Sequence, residues 1–231
     1  MAVELTGDQV AQQYVDAMGP ELGQLFHCLW QECAWVHLKW NEFVALFGTN
    51  AGRVDLVNKA APAFFRLVQD SVWEGVLLHI CRLTDPPKTM GKGNLTIRRL
   101  PPLVLSALRP KVEQLVETAQ LRCEFARDWR KRHIAHRDLE LALGGTAIPL
   151  AAATKNSVRD ALAAIAAVLN VIQAHYLDHS AVMYDRMIGG LGNAESLLYV
   201  LRDGIEAEAA RELRMRSGQP LPEDIAPHRP I

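Results

Sequence analysis

The chain is predicted to be all-α, a helical bundle with additional helices. Every substantial apolar pattern recurs at three and four residues, no stretch of useful length alternates with a period of two, and there is no internal repeat. Residues 1–216 read as one helical domain and residues 217–231, with four prolines, as an extended tail. The 231 residues are 49% hydrophobic and 22% charged, which suits an ordered globular chain, and the net charge of −1 excludes a polybasic binder. Any contact with nucleic acid must therefore come from a local patch.

Taken in order, Thr6 or Asp8 caps a short helix ending near Gly19. Pro20 opens a long helix to about Phe47, with Leu22, Leu25, Phe26, Leu29, Trp30, Cys33, Val36, Trp40, Phe43 and Val44 on one stripe and Gly48 as the stop. Of Trp30, Trp35 and Trp40, two lie on that stripe and read as core rather than as platforms for bases. A third pattern runs from Val54 to Leu83, bent by Pro62, and ends at Thr84-Asp85-Pro86-Pro87. Residues 85–94 are a loop, and Lys88, Lys92, Arg98 and Arg99 form a basic cluster that guides RNA only where the fold brings it to a site. Pro110 begins a helix that reaches Trp129; an alanine-rich helix follows from about Ser157 to Leu177, and a last one from about Ala194 to Arg216.

The cysteines Cys28, Cys33, Cys81 and Cys123 lie apart in apolar helical patterns and read as small buried hydrophobes. With no secretory signal at the amino terminus, the expectation is a cytoplasmic, reduced protein. The longest apolar run, Ala161 to Ile172, is broken by Asn170, so no membrane-spanning segment is predicted. His175 and His179, with Asp178 near, read as a surface or core pair without the further ligands of a metal site, and His79 reads as core.

Chemistry concentrates between Arg122 and Arg137. Six cations, Arg122, Arg127, Arg130, Lys131, Arg132 and Arg137, stand there against two acids, Glu124 and Asp128, an excess that points to an anionic partner. Two histidines, His133 and His136, can each move a proton near neutrality beside cations able to hold a phosphate. RNA carries its own nucleophile in the 2′-hydroxyl, so a histidine and an arginine suffice for cleavage; no cofactor is implied, and no carboxylate cluster suggests a metal. The plainer alternative is a basic helix end that complements the helix dipole, with Asp128 or Asp138 pairing nearby arginines.

The run Arg130-Lys-Arg-His-Ile-Ala-His136, followed by Arg137-Asp138, resembles the Arg-x(4 to 6)-His motif of HEPN ribonucleases. Arg82-Leu-Thr-Asp-Pro86, Gly91-Lys-Gly-Asn-Leu95, Arg98-Arg99-Leu100 and Leu46-Phe-Gly48 resemble the abortive-infection branch of that superfamily, over about Leu25 to Asp203. The resemblance implies a dimerising helical bundle, an RNA substrate, metal-independent cleavage to 2′,3′-cyclic phosphate ends, a toxin or antiphage role, and an antitoxin or nucleotidyltransferase as a further partner. It implies Arg130 and His136 as catalytic residues. Lys131, Arg132, Arg137, Arg127 and His133 are the expected substrate contacts. Position 131 is lysine where such motifs carry Asn, Asp or His, and Arg127-Asp128 with His133 forms a competing frame of equal spacing. On an ideal helix neither pair shares a face, so either the helix ends before His136 or the pairs assemble across a dimer. A bundle that holds RNA, a nucleotide or a partner protein without cutting, and a pure protein-interaction scaffold, are the competing readings.

Overall fold

A computed structural model describes residues 6–144, 148–177, 182–186 and 192–225. Among these the fold is all-α, with one two-residue-stranded hairpin. The elements are α1 (Gly7–Met18), α2 (Pro20–Phe43), α3 (Ala51–Ala60), α4 (Pro62–Thr84), β1 (Lys88–Thr89), β2 (Lys92–Gly93), α5 (Arg109–Arg122), α6 (Glu124–Trp129), α7 (Leu139–Ala142), α8 (Lys155–Leu177), α9 (Ala194–Arg216) and α10 (Pro222–Ile225). Single π-helical turns follow α2 at Val44–Gly48 and α6 at Arg130–Ile134.

Local chemistry sets the ends. Thr6 caps α1 in a capping box with Gln9, and Gly19 closes it at φ +82, where a β-carbon would be strained. Asn50 caps α3, which therefore starts before the predicted Val54. The predicted bend at Pro62 is a break: Ala61 takes φ −160, ψ 77, because the proline ring excludes the residue before it from the helical region. The helix predicted to run from Pro110 to Trp129 is likewise two, divided at Cys123 (φ −97, ψ 3).

Among the described residues the chain packs as two compact units, residues 1–41 with 71–187, and residues 42–70 with 188–231. In the first, α8 packs along α5 and touches α1, and buries Val158, Leu162, Ile165, Leu169 and Ile172. By length and composition α8 is apolar enough to cross a membrane, unlike the sequence expectation, and its apolar face is spent in this core. Asn170, the polar break in that run, binds the backbone N–H and C=O of Val182 with its amide. Gly23 lets α2 approach α1 so closely that a β-carbon would lie 2.5 Å from the Tyr14 carbonyl oxygen.

The second unit has a smaller core, Leu46, Val57, Phe65, Ala194 and Leu198, formed where α3 packs on α9. The predicted extended tail folds back at its start. Asp224 receives Arg214 Nε and Nη2 at 2.8 and 2.7 Å and caps the Leu221 N–H at 2.9 Å, while Arg211 donates to its carbonyl. The Arg214 pairing holds the Asp224 carboxyl at about 2. Residues 226–231, and the His179 and Asp178 of the predicted histidine pair, lie outside the described residues.

Trp40 is buried and Trp35 is exposed, as the stripe predicts. Three cysteines, Cys33, Cys81 and Cys123, are buried, whereas Cys28 is exposed because it falls off the apolar face of α2.

Candidate functional site

The basic stretch is shaped by one change of hydrogen bonding. At the end of α6 the Ala135 N–H donates to the Arg130 carbonyl at 2.8 Å, five residues back, and the Asp138 N–H donates to the Arg132 carbonyl at 3.0 Å. The helix therefore ends at Ile134, and His136 and Arg137 stand on the exposed segment beyond it.

A brace fixes that exit. The Arg132 guanidinium reaches Asp128 at 3.5 Å, Asp138 at 3.4 Å and the carbonyls of Pro149 and Ile148. Asp128 accepts the Ala151 N–H at 2.8 Å, and Asp138 caps α7 through the Leu141 N–H. Four of the five N–H donors of Arg132, a residue expected to contact phosphate, face oxygens of its own fold. Arg127 is taken up in the same way, donating to the carbonyls of Gln120 (2.8 Å) and Thr84 (3.3 Å).

His133 is half-buried at the end of an aromatic series. Trp40 and Trp73 lie 6.2 Å apart, Trp73 and Trp129 6.1 Å, and Trp129 and His133 5.3 Å edge to face. Its Nε2 faces Glu74 at 4.0 Å, and Trp129 Nε1 donates to the Ala151 carbonyl. The competing frame thus has an arginine bound to backbone and a histidine packed on a tryptophan. The later frame differs: His136, Lys131 and Arg137 are exposed, and none of their three side chains meets a hydrogen-bond or ion-pair partner among the described residues.

Arg130 has a partner that the sequence flags only as part of a motif. Its Nη1 lies 2.8 Å from both oxygens of Asp85, in the Arg82–Pro86 stretch, with side chains 32% and 19% exposed. The bond raises the Arg130 pKa further, first through that hydrogen bond. Both contacts leave from Nη1, so Nε and Nη2 remain to donate to a second anion. The Cys81 thiol lies in the field of Arg130 and Asp85, yet burial pushes it up to about 11, which removes it as a nucleophile near neutral pH.

The other resembling stretches also have structural work. Asn94 clasps the hairpin loop through the carbonyls of Pro86 (2.7 Å) and Pro87 (2.9 Å) and the Thr89 hydroxyl (2.8 Å), and Thr96 ties it to the Leu83 carbonyl at 3.0 Å. Leu46-Phe-Gly48 forms the π-turn of the second unit.

The family model HEPN_AbiU2, described as AbiU2, matches residues 19–187, and the chain belongs to that abortive-infection-type family. HEPN domains are often ribonucleases, and the family carries an abortive-infection association. No curated protein and no solved structure matches the chain.

Proposed function

We propose that the protein is a metal-independent endoribonuclease of the toxin or antiphage type, acting in the cytoplasm as a homodimer. The carrying observation is the π-turn exit, which leaves His136 and the adjacent Arg137 exposed while Asp85 holds Arg130 by one nitrogen. In this reading Arg130 donates Nε and Nη2 to the phosphate oxygens as negative charge builds on phosphorus. His136 takes the proton from the 2′-hydroxyl, or gives one to the departing 5′-oxygen. Attack by the 2′-oxygen on phosphorus breaks the bond to the 5′-oxygen, and the products end in a 2′,3′-cyclic phosphate and a 5′-hydroxyl. The second subunit supplies the other histidine, since one ring does not hold both protonation states at once. An antitoxin or nucleotidyltransferase partner would restrain the activity in the host cell.

The test is cleavage of single-stranded RNA in EDTA by the wild type, His136→Ala and Arg130→Ala. Loss in both variants supports the site, and undiminished cleavage in both sinks it. Loss on His133→Ala with retention on His136→Ala moves the chemistry to the earlier frame.

The Arg130–Asp85 pair favours a second reading, because an arginine already neutralised by a carboxylate binds anions more weakly. The bundle would then hold RNA, a nucleotide or a partner protein without cutting. RNA binding without cleavage by a monomeric protein is the outcome that selects it.

A further inference from the structure

The hairpin that begins three residues after Asp85 combines an unbalanced charge with an energetically unfavourable tip. From Pro86 to Val112 the chain carries six cations, Lys88, Lys92, Arg98, Arg99, Arg109 and Lys111, and no acid, although the whole chain is at −1. Arg109 is used on the carbonyls of Pro101 and Pro102, and Arg99 reaches the Asn94 carbonyl at 3.4 Å. Among the described residues Lys88, Lys92 and Arg98 meet no carboxylate, whereas Arg130 and Arg132 do.

Lys88 stands opposite Gly93 and Thr89 opposite Lys92. Residues directly opposite share a face, so Lys88 is on the side where Gly93 has no β-carbon, and Arg99 Nη1 fills that place at 3.0 Å. The hairpin therefore carries Lys88 with Arg99 on one face and Lys92 on the other.

Met90 and Gly91 form the turn at φ +50 and +81, the conformation that asparagine and glycine adopt at low cost. Methionine there is 99% exposed, so neither turn energetics nor core packing accounts for its side chain. An exposed apolar group between lysines suits a ligand with charged and flat apolar parts in alternation. RNA has phosphates and bases in that order.

The hairpin is also held at the candidate site. Asn94 and Thr96 clasp its base to the end of α4, and three extended residues place Lys88 within about 11 Å of Asp85, the anchor of Arg130. We infer that the β1–β2 hairpin is an arm that grips single-stranded RNA beside the candidate site, with Lys88, Lys92 and Arg98 on phosphates and Met90 against a base. This rests on the reading of Arg130 and His136 as an RNA site.

The test is fluorescence anisotropy with a labelled 2′-O-methyl oligouridine, which lacks the nucleophile, across a range of salt concentrations. Lys88→Gln with Lys92→Gln is expected to lower the slope of log affinity against log salt by about 1.4, roughly 0.7 per phosphate contact on a single strand. Lys88→Arg with Lys92→Arg restores it. Met90→Gly weakens binding and leaves the slope as it was. Unchanged affinity and slope in the glutamine variant, with the far-ultraviolet circular dichroism of the wild type, overturns the inference. So does unchanged RNA binding with loss of binding to an acidic peptide. Cleavage of ordinary RNA separates the two proposals: an active enzyme with an indifferent arm refutes only the arm. A changed salt slope in a protein that never cleaves supports the arm and refutes the ribonuclease reading.

Discussion

Arg130 and Asp85 are 45 residues apart in sequence and share one hydrogen-bonded contact, so removing the carboxylate affects both stability and position. Asp85→Asn is expected to lower stability by about 1–2 kcal/mol in urea unfolding, the loss of a charged hydrogen bond in a half-buried setting. The untethered guanidinium should also lower RNA cleavage at least about tenfold, through misplacement. A variant with wild-type rate would show that Asp85 positions nothing. The motif from Arg82 to Pro86 was legible as a string. Its pairing was not, because nothing local joins position 85 to position 130.

Two buried histidines give the stability a pH dependence of known sign. His37 falls to about 4, chiefly because burial disfavours its charged form, while the Leu162 carbonyl and Asp185 act the other way. His79 is also lowered by burial, against Glu32, whose carboxylate lies 2.6 Å from Nε2. A depressed folded pKa means that the unfolded chain binds more protons between about 4 and 6.5. Stability is then full above about pH 6.5 and falls as the pH drops through that window, by up to roughly 3 kcal/mol for His37. Urea midpoints at pH 7 and 4.5 should show the decline, and His37→Gln should flatten it. Thiol chemistry follows burial as well. Burial raises Cys33, pushes Cys81 to about 11 and Cys123 to about 12, so iodoacetamide should label only the exposed Cys28 in the native state and all four cysteines in denaturant.

At the scale of elements, close approach is the sensitive quantity. A β-carbon on Gly23 would meet the Tyr14 carbonyl oxygen at 2.5 Å and the Val15 Cα at 2.6 Å, both backbone atoms that a rotamer change does not move. Gly23→Ala should therefore cost about 1–3 kcal/mol, measured as a shift in the unfolding midpoint without change in slope. Helix existence and period were readable because the apolar stripes of α2, α4, α5 and α8 recur at helical spacing. The break at Pro62 was readable as a bend only. The π-turns were not, since the shift from four-residue to five-residue hydrogen bonding depends on groups outside the turn. For Arg130–Ile134 these are Asp128, Asp138 and the carbonyls of residues 148 and 149, which draw Arg132 out of the helical register.

Across the whole molecule the two units differ in core size, and local stability should follow. The buried residues of α8 lie in the larger core, whereas α9 buries only Ala194 and Leu198, and its second half exposes Leu213 and Met215. Native-state hydrogen exchange is expected to show α8 amides opening only with global unfolding, and α9 amides beyond Gly204 exchanging by local opening. Equal protection along both helices would contradict this division.

The all-α class, most helix positions and the membership in the HEPN family were legible in the sequence, which also placed all four cysteines in the core, where Cys28 proved exposed. These depend on periodicity and short strings, which are local properties of a chain. Tertiary structure decided which cations are free. Six basic residues between Arg122 and Arg137 look alike in sequence, yet Arg127 and Arg132 are bound by oxygens of the fold, Arg130 is held by Asp85, and Arg122, Lys131 and Arg137 stand exposed. A side chain's partners depend on segments brought together from far along the chain. Only the folded chain brings Asp85, Thr84 and Ile148 to those arginines.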